Sequence, residues 1–410
     1  MHSFLKYSLL LAFFGSSCTL PPPCCPPQMD IPFEWHSKTS EGMHSEATDC
    51  FLWWKSLNDP ALNSLMERAA FQNLDLAIAG TRILEARAAA RVKEADCLPH
   101  ASFNCDFDEC NSCCSPILSN SNCFEGCFDA GRKIGQFEAR KCEICASQNP
   151  RIEALYDSFD QAWVTLSAEL ARNYVELRAL QLRMKVIHST IEAQKESQQL
   201  TEDLLGIGMS NTIDAAQAEA QSSTLAAERP LIQLAIQRTI HRISILLGQA
   251  PGELYAELSI PQVLPRPPRD MPIGIPSNLL RRRPDIRLAE SRLMQGDCNC
   301  NKAKTKQAIF EYQKTVLEAL EETENALASF HAELERNDYL LHAQDSAQKS
   351  YDAISDLYKN GFKGYMDALA AQRTLFTAKN AYIQSQLDLL THYIALYKSL
   401  GGGWYGCCTD

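Results

Sequence analysis

The sequence has no surplus of positive charge. Its 410 residues carry a net charge of −11, which excludes the basic surfaces that bind nucleic acid. Beyond the N-terminus no stretch holds 18 uninterrupted apolar residues, so no transmembrane helix is expected. Glycine and proline are sparse outside a few segments, which leaves long Ala-, Glu-, Leu- and Gln-rich stretches free to be helical. The nine histidines are scattered without ligand spacing. No nucleophile sits in a recognisable elbow. Neither an enzyme, a cofactor nor a bound metal is expected.

Cysteine, by contrast, is abundant: there are 17, nine of them between Cys97 and Cys145. Residues 1–17 read as an export signal, with Lys6 as its positive charge and an apolar core from Leu9 to Phe14, too short to span a bilayer. Gly15, Ser16 and Ser17 then precede Cys18, which is expected to be acylated and to anchor the chain to lipid. Simple secretion, with Cys18 a bystander, is the plainer alternative. Export to an oxidising compartment makes disulfides the expectation for Cys97, Cys105, Cys110, Cys113, Cys114, Cys123, Cys127, Cys142, Cys145, Cys298 and Cys300. Zinc is the rival, because Cys110-x-x-Cys113 and Cys142-x-x-Cys145 have ligand-like spacing.

Residues 18–50 form a linker in which Pro21–Pro23 and Pro26–Pro27 forbid helix. Trp53 and Trp54 open the folded part, and residues 51–97 carry a first helix that starts at Asp59-Pro60 and keeps helical spacing to about Ala95. Residues 98–150 are a Cys-rich, reduced β segment. His100–Asp108 alternates Ala101, Phe103, Cys105 and Phe107 with polar residues, a strand of about nine residues. The Cys-, Ser- and Asn-rich remainder of this segment reads as loop, with a second, weak strand at Phe124–Phe128.

Helical spacing dominates 151–249. Trp163, Leu166, Leu170, Asn173, Leu177, Leu180, Met184, Ile187 and Ile191 step by three and four, as coiled coils do. The pattern breaks at Gly206 and Gly208, resumes to Leu247, and stops at Gly248. Two helices of roughly 40–50 residues make a hairpin about 60–75 Å long. After a Pro-rich connection, 250–283, the residues 284–404 repeat the design, with Val316, Leu320, Thr323, Leu327, Phe330 and Leu334 in step and a break at Asn360-Gly361. Residues 405–410 are a tail. The two long hairpins superpose at an offset of 153, which sets Gly208 on Gly361 and Asp214 on Asp367. The preceding short helices match at 210, with Arg82 on Arg292, so the second copy is 57 residues shorter between Arg292 and Phe310. No strand is expected after residue 150. A short helix at 284–297 should turn at Gly296–Asn301 directly into the next long helix. The fold class is therefore mainly α: two repeated long antiparallel helical hairpins with a reduced β segment in the first half.

Four segments resemble the outer membrane factor family of TolC- and OprM/NodT-like efflux ducts: Trp54–Leu62 (WKSLNDPAL), Gly274–Arg287 (GIPSNLLRRRPDIR), Asp367–Leu375 (DALAAQRTL) and Ala395–Trp404 (ALYKSLGGGW). The resemblance implies a homotrimer, a coiled-coil α-barrel in the periplasm, and tips that meet a periplasmic adaptor driven by an inner-membrane pump. It implies a place at the cell outer membrane, with the lipid on Cys18 fitting the family's lipoprotein branch. Carried over, the tips are Gly208, Met209, Ser210, Gly361, Phe362 and Lys363. Asp214 and Asp367 either stabilise helix N-termini or form an acidic ring at the duct mouth. Arg281–Arg283 reads as a solvated helix start or an anion site. The family carries two strands in each half, and the second half here has none. Two functions stay open: a passive efflux duct, or a disulfide-linked structural lipoprotein that has lost the membrane pore.

Overall fold

The carboxylate of Asp59 starts the first helix. Its Oδ1 accepts from the N–H groups of Ala61 and Leu62 at 2.9 and 3.2 Å, and Pro60 supplies a first helical residue that needs no acceptor. In the computed structural model the described residues are 29–36, 43–44, 50–95, 100–110, 121–131, 137–208, 211–268, 271–272, 275–298 and 302–403. The helices are α1 (Pro60–Gln72), α2 (Leu74–Ala95), α3 (Phe137–Gly206), α4 (Thr212–Leu246), α5 (Tyr255–Leu258), α6 (Leu279–Arg282), α7 (Pro284–Cys298), α8 (Lys302–Lys359) and α9 (Tyr365–Ser399). The strands are β1 (Met43–His44), β2 (His100–Cys110), β3 (Ser121–Gly131) and β4 (Met271–Pro272).

The chain divides into two compact units. The smaller holds Thr81–Tyr156 and Glu290–Ile309. In it β2 and β3 pair antiparallel, with Phe103 opposite Phe128, Phe107 opposite Phe124, and Asn104 opposite Cys127. Phe103 and Phe128 are exposed on one face. Arg87 stacks over the ring of Tyr156.

Three expectations need correction. One strand of about nine residues with a weak second becomes a hairpin of two 11-residue strands. The alternation of β3 is poor by itself, and the strand is set by its full-length antiparallel register with β2. The first long helix starts at Phe137 rather than near residue 151, and runs through Pro150. Extending a helix already anchored by packing is easier than nucleating one. A strand does occur after residue 150: β4 pairs parallel with β1, two residues long, with Pro272 tolerated on an edge. The expected direct passage from the short helix into the long one holds, α7 ending at Cys298 and α8 starting at Lys302.

The larger unit holds Gln28–Gly80, Asp157–Ala289 and Phe310–Asp410. Its core is the face of the coiled-coil stripes, including Leu170, Leu177, Ile240, Ile243, Val316 and Leu327. An aromatic cluster closes one end: Trp53 stacks on Tyr397 at 5.6 Å and meets Trp54 edge-on at 5.9 Å, and Trp54 meets Trp163 at 6.1 Å. Such pairs add roughly 0.5–1.5 kcal/mol each to their buried area. The buried Tyr174 hydroxyl donates to Asp59 Oδ2 at 2.6 Å, so one carboxylate caps α1 and holds α3. Arg178 donates to the Ile260 carbonyl at 2.9 Å and to Gln262 at 3.1 Å, which ties the Pro-rich connection to the same helix. Met29 and Trp35 pack on this core, and the His36 N–H donates to Glu324 at 2.7 Å.

The internal repeat reappears in the hydrogen bonds. Gly248 and Gly401 end α4 and α9 at φ +69°, bonding to Ile245 and Lys398 respectively. The expected continuous helix to Ala95 breaks at Asn73, whose Oδ1 caps α2 at the Leu76 N–H, 2.9 Å. Its Nδ2 donates to the Leu246 carbonyl at 2.8 Å. At the equivalent place Arg283 Nη1 donates to the Ser399 carbonyl at 3.0 Å. An amide and a guanidinium thus perform one task in the two copies.

Candidate functional site

The hairpin tips are built twice from one plan. The Gly208 N–H donates to the Leu205 carbonyl and the Gly361 N–H to the Tyr358 carbonyl, each at 3.0 Å, with φ of +77° and +75°. A left-handed turn of this kind favours glycine. The Phe362 N–H closes the second turn on the Leu357 carbonyl at 2.8 Å. Asn211 and Gly364 cap the returning helices. Met209 and Ser210 lie outside the described residues.

Asp214 and Asp367 occupy matching positions in the first turn. The Asp214 N–H donates to Asn211 Oδ1 at 2.8 Å and the Asp367 N–H to the Gly364 carbonyl at 3.2 Å. Lys363 pairs with Asp367 at 3.4 Å, so part of the acidic charge is balanced locally. This geometry is that of carboxylates at helix N-termini.

Sequence reasoning missed the apolar dressing of the tips. Ile207, Ile213, Phe362 and Met366 are between 52% and 77% exposed, and Ile213 and Met366 are repeat equivalents. Two apolar residues at equal distance past each capping residue were the available signal. Behind the tips the hairpins are held together by polar bonds. Thr201 Oγ1 and Tyr358 Oη lie 2.8 Å apart, and Gln194 donates to Tyr365 Oη at 2.9 Å. The rings of Tyr358 and Tyr365 meet edge-on at 6.1 Å. Burial pushes the Tyr365 phenol up, against the hydrogen bond from Gln194.

The other sequence candidates do not gather at the tips. Arg283 is buried and bonded to Asp285 at 2.6 Å and Glu322 at 2.8 Å, so its role is to join α6, α7 and α8 rather than to hold a free anion. Cys105 and Cys127 are exposed free thiols. The register sets Cys105 opposite Gly126 and Cys127 opposite Asn104, which puts the two on opposite faces of the ribbon. Cys18, Cys97, Cys113, Cys114 and Cys300 lie outside the described residues, as do the side chains of Cys110, Cys123, Cys142, Cys145 and Cys298.

One carboxyl titrates near neutrality. Burial pushes Asp160 up from 3.8 to about 7, Arg287 opposing the rise and Asp157 adding to it. Asp157 is buried and pairs with Arg287 at 2.9 Å. Between pH 4 and 7 the folded chain keeps a proton on Asp160 that the unfolded chain has lost. Its contribution to stability is therefore present below pH 4 and lost as pH rises to 7. Asp160→Asn is expected to stabilise the chain by roughly 1 kcal/mol at pH 8, after allowing for solvent screening, and to do nothing at pH 4. Equal melting shifts at both pH values would contradict this.

Comparison with known proteins shows what the chain resembles. The family model described as outer membrane efflux protein matches residues 298–402. Nodulation protein T of Rhizobium leguminosarum bv. trifolii is 25% identical over 461 aligned positions, covering 97% of this chain and 96% of the relative. The outer-membrane channel OprN is 28% identical, with a TM-score of 0.78 over 93% of this chain and 99% of that one. The chain is similar to outer membrane efflux proteins along nearly its whole length. The pyoverdine export outer membrane protein OpmQ of Pseudomonas aeruginosa is 25% identical over 478 positions, covering 98% of this chain and 96% of the relative. The MtrE outer membrane channel of Neisseria gonorrhoeae, at 20% identity and a TM-score of 0.78, shows the shared fold alone. These alignments are longer than the 410 residues of this chain, so part of each relative has no counterpart here.

Proposed function

We propose that this chain is an outer-membrane-associated duct component of an efflux system, a passive conduit for solutes delivered by a periplasmic adaptor and an inner-membrane pump. The likeness to outer membrane efflux proteins carries the reading, and the twice-built tip supports it: two matched glycine turns at the ends of long hairpins, each dressed with exposed apolar side chains. The duct works as a homotrimer whose tips, Gly208–Ser210 and Gly361–Lys363, receive a periplasmic adaptor coupled to an inner-membrane pump. Exposed Ile207, Ile213, Phe362 and Met366 give that contact an apolar centre. Asp214 and Asp367, carried by three copies, bias the mouth towards cations. Nothing in this role needs a reacting group.

In a strain stripped of its own ducts, the chain is expected to lower accumulation of a fluorescent pump substrate several-fold. A photo-crosslinker at Phe362 should capture the adaptor's helical hairpin. Unchanged accumulation, together with capture only through residues 97–145, would reject the duct.

The chain is held in the inner leaflet of the outer membrane by lipid on Cys18, after loss of residues 1–17. Intact-mass analysis of the mature N-terminus is expected to show an acylated cysteine. A bare thiol there, or another first residue, would show that the anchor does not exist.

A second reading is favoured by one observation. After residue 272 no strand occurs among the described residues, and α7 and α8 are separated by three residues. A structural lipoprotein with no membrane pore would need no second hairpin. The matched tips weigh against it, since a spacer has no use for them.

A further inference from the structure

Between α3 and the two returning helices α4 and α9 lies a polar groove of about 260 Å³, lined among others by Gln221, Thr224, Glu228, Gln372, Arg373 and Thr377. Gln221 lies ten residues beyond Asn211 and Gln372 eight beyond Gly364, so the groove sits roughly 12–15 Å along the helices from the tips.

Its hydrogen-bonding is unbalanced. Gln372 is only 8% exposed, yet its Nε2 has no hydrogen-bond partner. A buried amide donor left unpaired costs roughly 1–3 kcal/mol. Beside it, Arg373 directs Nε and Nη2, at 3.1 and 2.6 Å, onto the one neutral oxygen Oε1 of Gln221. Arg373 makes no ion pair among the described residues, and Glu228, which lines the same groove, does not pair with it. A guanidinium without an ion pair among the described residues and an amide with an unpaired donor therefore sit on neighbouring residues that line one groove.

We infer that this groove receives an acidic side chain, Asp or Glu, carried by the helical hairpin of the periplasmic adaptor. A carboxylate accepts from a guanidinium and an amide together, and such charge-assisted bonds are short and directional. A helix that meets the apolar tip residues can continue along α4 and α9 into the groove. The apolar tip contact supplies area, and the carboxylate fixes register. This inference rests on the duct reading and adds to it the chemistry of the partner.

The test uses the full chain in a duct-deficient strain, together with the adaptor with which the wild type restores export. Arg373→Glu reverses an exposed charge and should fold, which its melting temperature checks. It is expected to cut adaptor capture from the Phe362 crosslinker and substrate export by tenfold or more. Gln372→Met, which keeps the volume and removes the donor, is expected to give a smaller loss in the same direction. An adaptor in which one acidic residue of the hairpin is changed to Arg should restore Arg373→Glu and fail with the wild type. Wild-type levels of capture by Arg373→Glu would overturn the inference and leave the duct reading standing. Rescue that arises only from changes within this chain would overturn it too. If the wild type captured no adaptor at all, the duct reading itself would fall, and this inference with it.

Discussion

Gly248→Ala and Gly401→Ala are each expected to destabilise the full chain by about 3 kcal/mol, whereas Gly208→Ala and Gly361→Ala cost about 1 kcal/mol. All four glycines have φ between +69° and +77°, so each substitution carries the same backbone penalty of roughly 1–2 kcal/mol. The surroundings differ. A Cβ on Gly248 would lie 2.4 Å from the Gln72 carbonyl oxygen, and one on Gly401 would lie 2.8 Å from that of Arg282. Those are backbone atoms between two helices, and they cannot move without shifting Asn73 or Arg283 off the carbonyls they bond. At the tips a Cβ meets nothing within 4 Å. Urea unfolding of the four variants checks this, and equal losses at all four sites would show that packing at the helix ends is loose. The tip variants should therefore be stable enough to assay adaptor capture without a folding defect.

The second expectation concerns the membrane. Purified chain alone in a planar bilayer should give no steady single-channel steps. Among the described residues each copy has one hairpin of two 11-residue strands, long enough to cross a bilayer. Three copies provide six such strands, and membrane barrels begin at eight. An open strand edge in hydrocarbon leaves backbone groups unbonded at several kcal/mol each. The second half cannot supply the missing strands, because only three residues separate α7 from α8. Reproducible conductance from the pure protein would mean that more copies assemble, or that strands form from segments that are helical here. Conductance that appears only when a second outer-membrane protein is added would show that the hairpin edges are completed by another chain.

The sequence foretold the helical half of this architecture well and the β half poorly, for physical reasons. Heptad spacing is a long-range signal repeated over many turns, so Leu170, Leu177 and Leu327 declared their burial in advance. The offsets of 153 and 210 were readable because Gly208, Gly361 and the Arg-Pro-Asp run punctuate the repeat. The hairpin depended on information that no local window contains. Ser121–Gly131 alternates weakly, and its strand is defined by its register against His100–Cys110. The break at Asn73 was hidden because its apolar neighbours keep helical step through it, and its reason lies 173 residues away at the Leu246 carbonyl. The groove at Gln372 and Arg373 was equally invisible, since its Gln221 comes from another helix.

The docked segment from Met29 to His36 sets a limit on where any anchor can be. His36 is fixed to Glu324, and Met29 and Trp35 are packed on the helical core. Only ten residues, eleven Cα-to-Cα steps, lie between Cys18 and Met29. Fully stretched, these steps reach about 36–40 Å. A lipid on Cys18 is then a short leash. Such a lipid would hold the leaflet within one tether length of the residues around Glu324 and limit how far this unit could drift from the membrane. Lengthening the leash with Gly-Ser residues between Pro27 and Met29 should leave the fold untouched while loosening that hold.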